Sequence, residues 1–444
     1  MNKLLRTSAA ALIALAAVLF PNSASAQNTQ VISNTSLGAD AHDLWAEGSM
    51  VYVARGAAGV DIIDATNQAA PVVVGNIRPY PTLNNIHIAD VQVVDGIAYI
   101  ANEVPNNSST PFTGVFIYDV HNPAAPVELG NITWGAGGGY HFGGNVHNLH
   151  VDKRGATVYL YVASITTSTV HVFDVTNPAA AVWLSEILPP LNSFGTVWGQ
   201  AHEVAVRGNL CATTWISGGF AIHDVSDPAA PVLLSHTPYA SAFTYDAAFT
   251  DDGYLLTTDG RSYIGMQIWN IANPSAPLRQ SGFTIAGGLM HNVQVKGNYA
   301  YLSCFEGGLR IVNIANRTAP YAAGGYDTRP TSAGGSGIGA WGVFASANNI
   351  CVSDTVTGLY VIDHIDTIVV TRADWYHRTK ELVVEATSTG APGAVLTVAG
   401  YGAMTYNTGL GRYTLTVGGV NPKPGSVTVT SDLGGSASRN VRKQ

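Results

Sequence analysis

From about residue 29 onward the chain alternates short apolar runs with polar turns. Val51-Tyr52-Val53-Ala54 and Pro71-Val72-Val73-Val74-Gly75 are typical, bounded by Gly, Asn or Pro, and they read as β-strands. One phrase recurs seven times: an apolar strand that ends on Asp or Asn and, in most copies, passes into Asn-Pro or Asp-Pro, as in Phe116-Ile117-Tyr118-Asp119-Val120-His121-Asn122-Pro123. Its anchors stand at Asp64, Asp119, Asp174, Asp224, Asn270, Asn313 and Asp363, with spacings of 55, 55, 50, 46, 43 and 50 residues. The Asx side chain suits a turn by bonding the backbone two residues on, and Pro fixes φ beside it. Each repeat holds four strand-like runs. Four-stranded units of this period predict propeller blades, with a solenoid as the architectural alternative.

The seventh repeat passes from Asp363 into a different kind of sequence and so lacks its outermost strand. Thr29-Gln30-Val31-Ile32-Ser33-Asn34-Thr35 resembles the fourth strands of other repeats, precedes the first blade without a partner, and is expected to complete blade seven. Beyond the repeats, Ile368–Thr371, Glu381–Glu385, Val395–Val398, Tyr413–Val417 and Ser426–Thr430 alternate or run apolar between Gly-rich turns, which predicts a small antiparallel sandwich. The expected fold class is therefore all-β: a seven-bladed β-propeller over residues 27–365 followed by a small β-sandwich over residues 366–444.

The phrases Val60–Asn67 and Ala221–Pro228, with their Pro turns, resemble the LVIVD-repeat family of secreted β-propellers, including its choice-of-anchor members, over roughly residues 30–364. The C-terminal segment resembles bacterial immunoglobulin-like modules in a general sense. The resemblance implies architecture and export. It implies no activity, because propellers host unrelated functions.

Composition sharpens this picture. Charged residues are only 11% of the chain, and 21 Lys and Arg stand against 29 acids, which argues against disorder and against a nucleic-acid partner. Met1–Ala26 has the form of a secretory signal: Lys3 and Arg6, an apolar stretch from Ala9 to Phe20, and the small-residue site Ala24-Ser25-Ala26. Cleavage near Ala26 would give a secreted or periplasmic product starting at Gln27, with no later apolar run long enough to span a bilayer. Residues 27–365 carry 11 cations and 24 acids while residues 366–444 carry 8 and 5, so two domains of opposite sign are expected. Cys211, Cys304 and Cys351 are too few for a disulfide framework and read as buried thiols.

Aligning the repeats on the Gly or Asn turn that follows each first strand brings His42, Asp90, His147, His202, Asp246, His291 and Trp341 to one position. First strands line a propeller's channel, so these residues are expected to ring one mouth of it. A mixed His and Asp ring predicts a possible site for a divalent transition metal such as Zn, Mn or Fe. Arg55, Glu103, Trp215, Asp259, Cys304 and Asp354 fall on the loops between second and third strands at the same face. Trp198 and Tyr245 add aromatic surface, and with Arg55, Glu103, Trp215, Asp259, Trp341 and Asp354 they form the candidate ligand-binding set. His87 and His150 each stand three residues from a ring position and suit supporting roles.

Two functions remain open at this level. One is an exported binding or surface-interaction module for an extracellular or envelope protein, a glycan or a small molecule. The other is a metal-dependent lyase, hydrolase or oxidoreductase that uses the ring. An imidazole ring that merely fills the channel is the simplest account of the same residues.

Overall fold

The computed structural model describes residues 28–79, 86–103, 114–133, 145–191, 199–285, 288–329, 337–346 and 349–444. The proposed signal and cleavage site, and Trp198, lie outside the described residues. Seven four-stranded antiparallel sheets follow one another between residues 29 and 364. Blade one comprises Leu44–Glu47, Met50–Ala54, Val60–Asp64 and Val72–Ile77, and the next five repeat this order along the chain. In blade seven Ala340–Ala345, Ile350–Asp354 and Gly358–His364 are joined by Thr29–Thr35, which pairs antiparallel with the last of them from Thr29 opposite His364 to Thr35 opposite Leu359. The N-terminal strand thus closes the ring, as its sequence predicts.

Local chemistry explains the regularity. The anchor side chains cap the third strand: Asp64 accepts from Thr66 N–H, Asp119 from His121, Asp174 from Thr176, Asp224 from Ser226, Asn270 from Ala272 and Asn313 from Ala315, all at 2.8–2.9 Å. Asp and Asn are interchangeable here because only an acceptor is required. The fourth strand then meets the next blade's turn. Ser185 and Ser235 donate to the carbonyls of Pro228 and Pro274 at 2.7 Å, and Ser281 donates to Arg317 at 2.6 Å. In blade one this place is Gly75, where a Cβ would lie 1.8 Å from the carbonyl oxygen of Pro123. Ser33 of the closing strand makes the same contact, 2.6 Å to the carbonyl of Gln68, so the seam is built like the other interfaces.

A second set of contacts joins neighbouring blades deeper inside. Thr214, Thr258, Ser303 and Ser353, all fully buried on the second strands of blades four to seven, each accept from an amide on their own first strand: Glu203, Asp246, Asn292 and Gly342. Each hydroxyl then donates onward to a carbonyl in or just before the first strand of the following blade, at Tyr245, His291, Trp341 and His42. Blades one to three carry Ala54, Ala101 and Ala163 at the corresponding place. Between blades the core is apolar, as where Tyr52, Ile62 and Ile77 of blade one pack on Val91, Ile100 and Phe116 of blade two.

Residues 368–443 form two sheets, one ordered Thr405–Asn407, Arg412–Val417, Glu381–Ser388, Ile368–Tyr376, Arg442–Lys443, the other Gly402–Ala403, Leu396–Val398, Ser426–Ser431, Ser436–Asn440. They share one core, in which Trp375, Leu382 and Val384 face Leu396, Val398 and Val429. This sandwich rests on the propeller through Tyr299, whose hydroxyl donates to Gly390 at 3.0 Å, and through Leu433, packed against the core between blades six and seven. Cys211, Cys304 and Cys351 are buried free thiols, and burial pushes Cys304 and Cys351 up to about 12. Among the described residues no helix is long and apolar enough to cross a membrane.

Candidate functional site

The first strands bring an imidazole-rich layer to one mouth of the channel. His147 Nδ1 lies 3.0 Å from Glu103 Oε2, and its Nε2 lies 3.1 Å from Nε2 of His202. His202 Nδ1 is 3.0 Å from the carbonyl of Tyr245, so this nitrogen carries the proton and donates. His202 is held neutral, its pKa driven well below the usual value by burial and by the neighbouring His147 and His291. Its Nε2 is therefore an acceptor, and His147 must donate from both ring nitrogens. His147 is accordingly an imidazolium: burial opposes its charge, but the ionised Glu103 outweighs burial and raises its pKa. The result is a linear chain, carboxylate to imidazolium to imidazole.

The ring continues past His202. His291 has its centroid 5.6 Å from that of His202, and its Nδ1 donates to the carbonyl of Trp341 at 3.0 Å. Trp341 and His87 meet His42 edge-on with centroids 4.7 Å away. His42 is only 8% exposed, and among the described residues neither of its ring nitrogens has a hydrogen-bond partner. Burial lowers both His42 and His291 to about 3, so both are neutral. Tyr245 and Phe305 complete an aromatic floor, 4.9 Å each from His291.

Asp90 and Asp246 do not belong to this layer. They lie one residue deeper, with Asp43 and Glu203, in a separate acidic layer that lines the channel beyond the histidines. The slip arises in the turns. In blades one, four and six the positive-φ glycine is the first turn residue, Gly48, Gly208 and Gly297, whereas in blade two Asp95 takes that conformation and Gly96 follows it. Aligning on glycine therefore displaces blade two by one residue, and Ala89, not Asp90, is the counterpart of His42. In blade five the turn is longer, and Tyr245 holds the ring position ahead of Asp246.

The loop residues divide differently from their sequence pattern. Glu103 reaches the site, and so do Tyr245 and Trp341. Arg55 is tied to Asp61 at 2.6 Å. Trp215 is fully buried and donates to Ser168 at 3.3 Å. Asp259 accepts from Tyr239, Phe243 and Arg261, and Asp354 from Thr328, Val356 and Thr357, so both build loops. His87 joins the mouth layer as its spacing suggests, whereas His150 lines the acidic part of the channel. The acidic layer is what the sequence reading missed. Its signal was present, because each ring histidine is followed by an acid or amide: His42-Asp43, His147-Asn148, His202-Glu203 and His291-Asn292.

A metal ion asks for convergence, and the arrangement offers little. Among the described residues no group of three His, Cys, Asp or Glu side chains is disposed to hold one. His147 is engaged at both nitrogens, and the two aspartates expected to complete the shell face another layer. The residues present do not fit a Zn, Mn or Fe centre.

The architecture and its comparisons define the class, a β-propeller repeat protein. Three stretches, residues 38–78, 198–237 and 287–328, match the LVIVD repeat. No curated protein matches the chain. Among solved structures, virginiamycin B lyase from Staphylococcus aureus is similar at a TM-score of 0.54 and 10% identity, over 75% of this chain and 98% of that one. The WD40 β-propeller domain of Doa1 is similar at 0.50 and 13%, over 76% and 97%. A chain of the Mitotic Checkpoint Complex is similar at 0.53 and 14%, over 81% and 98%. At these identities the likeness shows the propeller fold alone.

Proposed function

We propose that this propeller is an exported binding module whose ligand seats on the imidazole and aromatic floor of the channel mouth. The observation that carries the reading is His42, a buried side chain with two unpartnered nitrogens, because such a group costs free energy unless something bonds it. The neutral rings of His42 and His291 offer lone pairs, and Tyr245 and Trp341 offer flat apolar faces. That combination suits a neutral ligand rich in hydroxyl or amide donors, a glycan above all, whether free or carried on an envelope or extracellular partner.

Titration calorimetry with a panel of neutral oligosaccharides tests this. Binding that is lost in both His42→Phe and His202→Phe, with melting temperatures retained, is the expected result. Sugars that bind equally to both variants would place the ligand elsewhere. The chain from Glu103 through His147 to His202 favours a second reading, proton transfer in a lyase or hydrolase, since it links a carboxylate to a neutral base. Turnover of a bound sugar that fails in Glu103→Gln while binding persists would favour it.

A further inference from the structure

Past the histidine layer lies a cavity of about 440 Å³ whose lining includes Asp43, Asp90, Glu203 and Asp246. Asp90, Glu203 and Asp246 are 3%, 8% and 7% exposed, and among the described residues none of the four forms an ion pair. Several carboxyls in one low-dielectric space repel and lose hydration together. Backbone donors offset part of that cost: Leu149 N–H reaches Asp90 at 3.0 Å and Val293 N–H reaches Asp246 at 2.7 Å.

A second, independent feature points the same way. Asn148 and Asn292 line the same cavity and are 4% and 9% exposed. Each donates its amide N–H to the layer, Asn148 to Asp90 at 3.1 Å and Asn292 to Asp43 at 2.8 Å. Those bonds leave both Oδ1 atoms as acceptors, and among the described residues neither has a partner. Gly342 makes the second bond possible, since a Cβ there would lie 2.6 Å from Asp43 Oδ1. The layer is thus oversupplied with acceptor oxygens and short of donors.

We infer that this cavity is a second binding site, for a linear aliphatic diammonium or polyamine cation. The volume is that of a small-molecule site and far exceeds the need of a single ion. Among the described residues no three of the acids are disposed to grip one metal directly. Between the oxygens the walls are hydrocarbon, from Leu44, Val204, Ala247, Val293 and Val343, and they suit methylene chains between ammonium ends. His147, charged in the mouth layer, acts on Asp43 from outside the cavity, and the basic groups that line the cavity do not supply the missing charge. Arg207 is held by Asp251, and His150 is kept neutral, lowered to about 4 by burial.

The carboxyls must ionise to bind a cation. Burial raises Asp43 to about 6 and Asp246 to about 8, and it holds Asp90 and Glu203 well above the ordinary carboxylate value, helped by the neighbouring acids. Affinity should therefore rise with pH. The test is calorimetry on the full chain at pH 8.5 with 1,4-diaminobutane, and in separate arms with MgCl2 and CaCl2. Diamine binding that weakens at least tenfold in Asp90→Asn and in Asp246→Asn, and at pH 5, supports the site, provided both variants keep a cooperative melt. His42→Phe serves as the control that separates this site from the mouth and should leave diamine affinity unchanged. Absence of diamine binding, diamine binding indifferent to both Asp variants, or binding of Mg or Ca alone would each overturn the assignment.

Discussion

The hydroxyls that pin blades four to seven together give the sharpest test of how the ring is held. Thr258 is fully buried, accepts from Asp246 N–H at 3.1 Å and donates to the carbonyl of His291 in the next blade. Thr258→Val keeps shape and volume but deletes both bonds, leaving one buried donor and one buried acceptor without partners. Each such orphan costs about 1–3 kcal/mol, so the variant should lose about 2–6 kcal/mol. At roughly 2 °C per kcal/mol for a domain of this size, the midpoint should drop by about 4–12 °C. Thr258→Ser, which keeps the hydroxyl, should recover most of it. Differential scanning calorimetry reads both directly. A Thr258→Val midpoint equal to wild type would show that channel water satisfies both groups, and that the hydroxyl relay between blades contributes nothing to stability.

Two further outcomes are expected. Deleting residues 29–35 removes the six-pair ladder to Gly358–His364 and the Ser33 contact to Gln68, so the melting temperature should fall sharply; an unchanged melt would mean that blade seven is completed otherwise. Stability of the ligand-free protein should also fall as pH rises above about 6.5. Asp246, titrating near 8, keeps its proton when folded and has lost it when unfolded. One extra proton in the folded state costs about 1.4 kcal/mol per pH unit, so Asp246 alone accounts for a loss of about 2 kcal/mol between pH 6.5 and 8, and Asp90 and Glu203, also raised by burial, add to it. His147, held protonated by Glu103, acts in the same direction. Asp246→Asn should flatten the slope measured by urea titration, and a slope unaffected by that change would show that Asp246 is ionised in the folded chain.

The repeat was legible because it rests on local chemistry. The Asx anchors, the Pro turns and the stray strand Thr29–Thr35 each carry their instruction within a few residues, so blades and closure follow from the pattern. The ring histidines were legible for the same reason, since first strands of similar length put His42, His202 and His291 in register. Asp90 failed on a detail of turn geometry. A two-residue hairpin takes glycine first where only that residue has positive φ, as at Gly48, Gly208 and Gly297, and admits it second where both do, as at Asp95-Gly96, and sequence alone does not say which. Trp215, Asp259 and Asp354 are engaged away from the mouth layer for another reason. They sit where a loop residue faces the mouth, but a loop must also satisfy its own backbone, and Asp259 and Asp354 are consumed in doing so. The acidic layer was hidden because it is assembled from blades one, two, four and five, and no single repeat displays it.

The closing strand also fixes how the molecule responds to tension. Asn34 donates to Leu359, 325 residues further along, so a segment from the start of the ring lies in the same sheet as its end. Because that segment runs on into blade one, the seam is crossed by covalent chain as well as by hydrogen bonds. Its direction is decisive. Thr29 lies opposite His364, and Ile365 N–H bonds the carbonyl of Asn28 at 2.8 Å, so the chain enters and leaves the propeller side by side. A pull applied between these two points loads the ladder one rung at a time, as in peeling, instead of shearing all rungs together. The ring that resists thermal opening at its interfaces is thus mechanically soft at one place, the junction where the sandwich begins.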